Sequence, residues 1–341
     1  MNKKRWIAVV IAVGLFLVSI LSSSLTQPTQ DAQVVGLNSW LYGEDELSPV
    51  VLKEGNTTER IVKLTVDGTI ASGGSSGLFA SEGYDHENFL KQIKAIEADE
   101  TVKGIFLEVN SPGGGVYESA EIANLLNEVR TKNNLPMYVG MKNTAASGGY
   151  YISAQADKIF ASEETVTGSI GVIMSGLNYS GLLEKLGVED TTVKSGALKD
   201  MGSGTRPETK EDQAVLQAYI DNAYQRFVKV VSDGRNKSEE EVKKVADGRI
   251  YDGMQAKEAG LVDEIGYPDD ALVAMRADLD LRDAELIEYS NQSTGFATTW
   301  LGSKLTDLQG LQESETSQIL TLLESLGTVD SPKAMYYYGG E

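Results

Sequence analysis

One serine of this chain stands in a setting that favours nucleophilic chemistry. Ser147 lies in the segment Ala145-Ala-Ser-Gly-Gly-Tyr150, after an apolar stretch and before Tyr-Ile-Ser-Ala. This pattern predicts a strand, a tight turn of small residues and a helix, with Ser147 exposed at the helix N-terminus. The segment is related to the nucleophile elbow, with Ala145 and Gly149 where that motif has its two glycines.

The base that would activate Ser147 is not obvious. The chain has no cysteine, and its single histidine, His86, is predicted to be a surface residue at the start of a helix. A lysine held uncharged is the remaining activator at neutral pH, because burial disfavours the ammonium. Lys199, which follows a predicted strand in a small, glycine-rich segment, is the best candidate. The alternatives are a solvated loop lysine at this position and a local rival, Lys194.

Two further segments could complete such a site. The turn Ser111-Pro-Gly-Gly-Gly115 lies between a predicted strand and helix, and it lacks the lysine and spacing of a P-loop. We interpret it as an oxyanion hole, in which the N–H groups of Gly114 and Gly148 face a developing alkoxide. Ser169 has two readings, a plain turn hydroxyl or an acceptor that orients the lysine amine.

The elements that must position these residues alternate between strand and helix, which predicts an α/β fold with parallel sheet. Order is predicted to begin at Arg60, and beyond residue 280 the sequence shows only weak secondary-structure patterns. The predicted strands are 60–66, 104–109, 135–141, 157–161, 170–174 and 188–193. The predicted helices are 87–98, 116–130, one opening at Ser147, and those near 177–186, 208–232, 238–246 and 252–259.

Composition narrows the classes of function. With 30 basic and 50 acidic residues the net charge is −20, which disfavours nucleic acid as a partner. The absence of cysteine excludes disulfides and thiolate metal sites, and one histidine makes an ordinary zinc site improbable. We therefore expect no cofactor and no metal.

The N-terminus carries a targeting signal. Three basic residues at positions 3–5 precede an apolar run over residues 6–21, which fits either an uncleaved membrane anchor or a cleavable signal segment. Either way the body of the chain is expected outside the cytoplasm. The predicted organisation is an anchor over residues 1–22, a polar stalk over 23–57, a catalytic domain over 58–280 and a C-terminal extension over 281–341.

Taken together, these motifs resemble the S49 serine proteases, of the short, single-copy signal peptide peptidase A type. The likeness runs from the membrane segment to about residue 275, and it is specific only when its motifs are taken jointly. The matching stretches are 109–115, 145–150, 167–172, 195–199 and 247–253.

The resemblance implies a crotonase-like, Clp-protease-like fold and a membrane-anchored serine endopeptidase that degrades remnant signal peptides. By position it implies Ser147 as nucleophile, Lys199 as general base and Ser169 as the residue that orients the lysine. It also implies Gly114 and Gly148 as oxyanion donors. The implied assembly is a homo-oligomer, an octameric dome, in which neighbouring protomers complete each other's sites.

Two rival functions stay open at this point: a crotonase acting on acyl-CoA, and a membrane scaffold without catalysis. Export from the cytoplasm argues against the first. The C-terminal segment Ala334-Met-Tyr-Tyr-Tyr338 is apolar and lies near a free terminus, so it could add a strand in a substrate groove. The alternative is a tail that packs elsewhere or stays disordered.

Overall fold

The computed structural model describes residues 47–72, 84–291 and 334–339. All of them belong to one of the two units into which the chain divides. The strands are β1 (Leu47–Lys53), β2 (Asn56–Asp67), β3 (Val102–Ser111), β4 (Gly113–Gly115), β5 (Met137–Ala146), β6 (Lys158–Ala161), β7 (Val166–Gly168), β8 (Ile250–Tyr251), β9 (Glu264–Ile265), β10 (Ala284–Asn291) and β11 (Met335–Tyr337). The helices are α1 (His86–Ala98), α2 (Val116–Asn133), α3 (Gly148–Ser153), α4 (Ser180–Leu186), α5 (Lys210–Arg235), α6 (Glu239–Lys243), α7 (Gly253–Glu258) and α8 (Pro268–Asp278).

Within the described residues the main sheet has nine strands. Seven follow the order β1-β10-β2-β3-β5-β6-β9, and β7 and β8 lie off this path. The pairs from β10 to β9 along this order are parallel, and only β1 runs antiparallel, against β10. The short strand β7 pairs in parallel with the end of β5 and antiparallel with β8. The carboxyl ends of β3, β5 and β7 therefore lie next to one another, which is the usual place for a site in an α/β fold.

Both faces of the sheet are covered. Alternate residues of β3 point to opposite sides, so Ile105 and Leu107 join the main core while Phe106 joins a second cluster. Helix α2 packs on the first side through Ile122, and α8 packs on the second through Met275. This double burial explains the nearly continuous apolar run of β3, which is typical of a parallel sheet.

The predicted alternation of strands and helices is confirmed, and the predicted limits of order are wrong. Strand β1 and the first residues of β2 precede Arg60, and β10 lies beyond residue 280 yet inserts between β1 and β2. Its acidic residues, Glu285 and Glu288, interrupt the apolar pattern of Leu286, Ile287 and Tyr289 and so hide the strand from a search for alternation.

Two predicted strands do not form. Residues 188–193 are irregular and exposed throughout, because no strand of the described residues covers their apolar side chains. Residues 170–174 contain only an isolated bridge from Ile173 to Met335. The strand in this region is β7, and it ends where Gly168 and Ser169 both take positive φ.

Among the described residues, no helix combines the length and hydrophobicity needed to cross a membrane. The predicted anchor over residues 1–22 lies outside those residues.

Candidate active site

Ser147 occupies a strained corner between β5 and α3. Its φ of 53° and ψ of −114° lie in a region that serine rarely adopts, and such outliers cluster at functional sites. The corner is held by hydrogen bonds from Ser147 N to Gly168 O (2.8 Å) and from Tyr151 N to Ser147 O (2.8 Å). The prediction of an exposed serine is wrong, since Ser147 is only 1% exposed.

Close packing of glycines accounts for that burial. A Cβ added to Gly148 would lie 3.1 Å from Gly114 N and 2.6 Å from the Ser119 hydroxyl oxygen, so only glycine lets α3 approach β4 this closely. The two residues predicted as oxyanion donors, Gly114 and Gly148, are therefore neighbours in space, at the N-terminus of the helix that follows Ser147.

The direction of the Gly114 N–H follows from the bonds of its neighbours. Ile70 N donates to Gly113 O and Gly115 N donates to Ile70 O, both at 2.8 Å. Since successive N–H groups of an extended chain point to opposite sides, the Gly114 N–H points away from Ile70. On that opposite side lies the tail strand β11, in which Tyr336 is paired with Gly114.

The tail strand lies between two backbone segments, as an added strand would in a peptide groove. On one side it runs antiparallel to β4, with Tyr338 N donating to Pro112 O at 2.7 Å. On the other side, Ile173 N donates to Met335 O (3.1 Å) and Met335 N donates to Ile173 O (2.9 Å). Both edges of the tail are thus bound through main-chain atoms, which is the mode of β-strand addition.

The carbonyl of Tyr336 lies beside the two predicted oxyanion donors. A Cβ built on Gly113, whose φ is +100°, would be 2.0 Å from Tyr336 O and 2.6 Å from Gly148 N. The Tyr336 carbonyl oxygen therefore lies close to Gly148 N and across from Gly114.

The Tyr336 side chain fills a closed aromatic pocket, and it is 0% exposed. Its ring stacks on Tyr151 with centroids 4.9 Å apart and packs against Phe227 at 4.7 Å. Its hydroxyl donates to Ala223 O at 2.9 Å. Burial raises the pKa of Tyr336, so this hydroxyl stays protonated and keeps donating.

Ser169 is brought next to Ser147 by the pairing of β5 with β7. Ala146 is aligned with Gly168, so the residues that follow each strand, Ser147 and Ser169, are adjacent. Ser169 is buried, has φ 48°, and its N–H donates to Arg249 O at 2.8 Å. Ser147 and Ser169, two of the predicted site residues, are therefore neighbours within this single chain.

Lys199 lies elsewhere, on a segment of residues 174–206 that we call the arm. The arm contains α4 and is largely exposed, with Leu177 88% and Val193 98% accessible to solvent. Lys199 is itself exposed, and within the described residues no hydrogen bond or ion pair joins its side chain to Ser147 or Ser169. One chain therefore unites four of the five predicted site residues and leaves the fifth on the arm.

Lys194, the alternative candidate for the base, forms an ion pair with Asp200. Its ammonium donates to both carboxylate oxygens of Asp200 at 2.8 and 2.7 Å, and Arg206 donates to Asp200 at 2.9 Å. Arg206 first, and Lys194 next, lower the pKa of Asp200 to about 2. Lys194 is thus committed to an ion pair.

His86 is buried, contrary to the prediction of a surface residue. Its ring nitrogens bond to the Tyr84 hydroxyl at 2.7 Å and to Glu121 at 2.9 Å. It does begin helix α1, as predicted.

The sequence patterns did not reveal the aromatic pocket or the ion pairs of the arm. The pocket combines residues 151, 227 and 336, and only the tail itself had suggested a groove. The ion pairs of Asp200 and Arg206 depend on how the arm folds back on the start of α5.

The chain is similar to several known proteins. The model of peptidase family S49 matches residues 129–282, and the Clp protease model matches residues 80–166. The "Putative signal peptide peptidase SppA" of Enterococcus faecium is 54% identical over 344 residues, with all of both chains covered. The "Putative protease MJ0651" of Methanocaldococcus jannaschii is 41% identical over 62% of this chain and 68% of that protein. Among solved structures, a ClpP1 mutant from Listeria monocytogenes has a TM-score of 0.40 at 18% identity, over 63% of this chain and 95% of that one.

A full-length match at 54% identity, together with the S49 model, decides the class: the molecule is a serine endopeptidase with a mixed α/β fold. The chain belongs to peptidase family S49 and is of the SppA type.

Proposed function

We propose that this protein is a membrane-anchored signal peptide peptidase that uses a Ser–Lys dyad. Ser147 is the nucleophile, Lys199 the general base and Ser169 the residue that orients the lysine amine. The N–H groups of Gly114 and Gly148 form the oxyanion hole.

The observation that carries this proposal is the tail strand lying across the glycine strand β4. It is an extended peptide bound at both edges by backbone hydrogen bonds, with the Tyr336 carbonyl beside Gly148 N. A substrate that took the place of the tail would present its own carbonyl to Ser147 in the same manner. The tail thus stands in for a substrate, and it occludes the groove when no peptide is present.

In the first half of the reaction, neutral Lys199 takes the proton of the Ser147 hydroxyl while Oγ forms a bond to the scissile carbonyl carbon. Negative charge moves to the carbonyl oxygen, where the Gly114 and Gly148 N–H groups stabilise it. The C–N bond then breaks as the Lys199 ammonium gives its proton to the leaving amine.

In the second half, water attacks the ester that remains on Ser147. Lys199 accepts a proton from this water and returns one to Ser147 Oγ as the acid product leaves. Because each transfer needs the lysine amine next to Ser147 Oγ, and no contact within the described residues joins Lys199 to Ser147 of its own chain, we infer that the arm serves another copy.

The exposed arm supports a shared site. Its accessible apolar side chains, such as Leu177 and Val193, are what an interface between subunits would cover. We propose a ring of identical chains, octameric as in the resemblance, in which the arm of one protomer brings Lys199 to Ser147 of the next. A head-to-tail contact of this kind closes into a ring.

The proposed substrates are remnant signal peptides in the membrane. A groove that binds peptide through main-chain atoms accepts many sequences, and the aromatic pocket favours a large apolar side chain at the scissile carbonyl. The apolar run over residues 6–21 would hold the enzyme at the membrane with its catalytic body outside the cytoplasm. The name of the Enterococcus faecium relative supports the same substrate class.

The test compares two synthetic peptides of equal length in detergent, one with the apolar core of a signal peptide and one in which that core is polar. We expect faster cleavage of the apolar peptide by the full chain, and none by Ser147→Ala. Equal cleavage of both peptides would contradict the substrate class, and activity retained by Ser147→Ala would contradict the nucleophile.

A further inference from the structure

The arm is held by hydrogen bonds and ion pairs rather than by apolar packing. Helix α4 of the arm has no buried residue, and the glycines Gly181, Gly187 and Gly196 have no atoms from elsewhere in the described chain near their open side. Apolar burial within one chain therefore contributes little to the position of the arm. Its shape must depend on other contacts.

Besides hydrogen bonds such as that from Asn178 Nδ2 to Arg206 O at 2.6 Å, those contacts include a row of four ionic side chains that leads to the start of α5. Lys194 is paired with Asp200, Asp200 with Arg206, and Arg206 with Asp212. The last pair is bidentate, with Arg206 nitrogens 2.6 and 2.9 Å from the two oxygens of Asp212. A planar guanidinium that binds a carboxylate in this way fixes orientation as well as distance.

The end of this row of ion pairs on α5 is firmly held. Asp212 is 0% exposed, and it belongs to the capping box of α5, where Thr209 N donates to its carboxylate at 2.8 Å. Arg206 thereby ties the arm to the first turn of a 26-residue helix whose Phe227 lines the aromatic pocket.

The other end of this row of ion pairs lies next to Lys199, the proposed base. Asp200 follows Lys199 directly, and both belong to a turn in which Lys199 N donates to Gly196 O and Met201 N to Leu198 O, each at 3.1 Å. Fixing the Asp200 carboxylate therefore fixes the peptide plane from which the Lys199 side chain departs.

We propose that Arg206 and Asp200 are positioning residues that hold the arm so that Lys199 of one protomer reaches Ser147 of its neighbour. This inference rests on the proposed shared dyad. The network acts on the partner's site through Lys199, and it leaves the peptide groove of its own chain untouched.

The first experiment measures steady-state cleavage of the apolar peptide by the full-chain variants Arg206→Met, Arg206→Lys and Asp200→Asn. We expect Arg206→Met to lower kcat about 10- to 100-fold with KM nearly unchanged, since a small misplacement of a catalytic group is costly while the groove is intact. The kcat of Arg206→Lys should also be low, because an ammonium cannot replace the bidentate contact of the guanidinium.

Arg235→Met is the matched control. Arg235 lies at the opposite end of α5 and forms an ion pair with Asp263, in which the Arg235 side chain is buried and Asp263 is partly exposed. It should lower thermal stability as Arg206→Met does, yet keep wild-type kcat. An equal loss of kcat in Arg235→Met would overturn the proposal, because the effect would then be general to α5.

The second experiment tests action on the neighbour by combining variants in one oligomer. Two differently tagged full chains are co-expressed, and assemblies that carry both tags are purified. Arg206→Met with Ser147→Ala should recover about a quarter of wild-type activity, since a sound Ser147 meets a sound arm in that share of random head-to-tail contacts. Arg206→Met with Lys199→Ala should recover none, because both defects lie on the arm.

The pair Lys199→Ala with Ser147→Ala separates the two levels of the argument. If this pair recovers activity while Arg206→Met with Ser147→Ala does not, the positioning role is wrong and the shared dyad stands. If neither pair recovers, the shared dyad itself is wrong, and the positioning role falls with it. Should Arg206→Met fail to assemble, Asp200→Asn replaces it, since that change keeps the Arg206–Asp212 pair.

Discussion

The corner at Ser147 and the arm that bears Lys199 are built in opposite ways. The corner is buried, its backbone is bonded to β7, and its strain is offset by the ladder between β5 and β7. The arm is exposed and is held by ion pairs. In the proposed mechanism, a nucleophile that must meet its oxyanion donors within fractions of an ångström is set in the core, whereas a base delivered across an interface must remain accessible until the partner arrives.

This contrast also explains which substitutions each region tolerates. Atoms packed around Gly113 and Gly148 leave no room for a methyl group, while Gly181 on the arm has open space around it. We therefore expect changes in the corner to act through its geometry, and changes on the arm to act through the position of Lys199.

The largest expected effect comes from removing the base while keeping its charge. Lys199→Arg should lower kcat by roughly four orders of magnitude, as Lys199→Ala does, because arginine cannot lose its proton and cannot accept that of Ser147. Single-turnover release of the first product is the measurement. Lys194→Ala is the control and should keep far more activity, since Lys194 only supports Asp200. Greater loss with Lys194→Ala would make Lys194 the base.

The next effect is steric and tests the corner. In Gly113→Ala the new methyl would meet Tyr336 O and Gly148 N, so a peptide carbonyl could no longer lie there. We expect kcat/KM to fall about 100-fold. Gly181→Ala, on the arm, should leave kcat/KM unchanged. If both variants behave alike, the groove is not where the tail strand lies.

A smaller effect is expected at Ser169. Ser169→Gly removes the hydroxyl and accepts the positive φ, so it separates the loss of a hydrogen bond from backbone strain. We expect kcat to fall about 10-fold or more, as for loss of one orienting contact to a catalytic base. The kcat of Ser169→Ala should fall at least as far. A wild-type kcat in Ser169→Gly would leave Ser169 as a turn residue.

The smallest effect concerns the tail. Truncation after residue 332 removes a tethered competitor, so KM for a peptide should fall several-fold while kcat stays constant. Initial-rate kinetics on the full and shortened chains measure it. The substitution Tyr336→Ala, which empties the aromatic pocket, should act in the same direction. Unchanged KM in both variants would mean that the tail does not compete with substrate.

Local patterns predicted the corner well. The apolar run of β3, the small residues before Ser147 and the glycine turn each carry their structure within about ten residues, so the strand–turn–helix units at 104–130 and 135–153 could be predicted. The nearness of Gly114 to Gly148 followed from the adjacency of parallel strand ends.

Distant contacts account for what could not be predicted. Strand β10 is specified by neighbours more than 200 residues away, β2 among them. The local pattern of residues 188–193 is that of a strand, but a strand also needs a neighbouring strand, and the local pattern does not reveal whether one is present. The burial of Ser147 depends on β4, β7 and the tail together, and the link from Arg206 to Asp212 requires the arm to fold back on α5.

The central claim is that one copy supplies Ser147 and another supplies Lys199. The most direct test is to follow mass by sedimentation velocity and peptidase activity in the same samples of full chain, over serial dilution. The shared site predicts that activity per chain falls in step with the assembled fraction and that the monomer peak is inactive. A monomer that cleaves peptide at the rate of the assembly would contradict it.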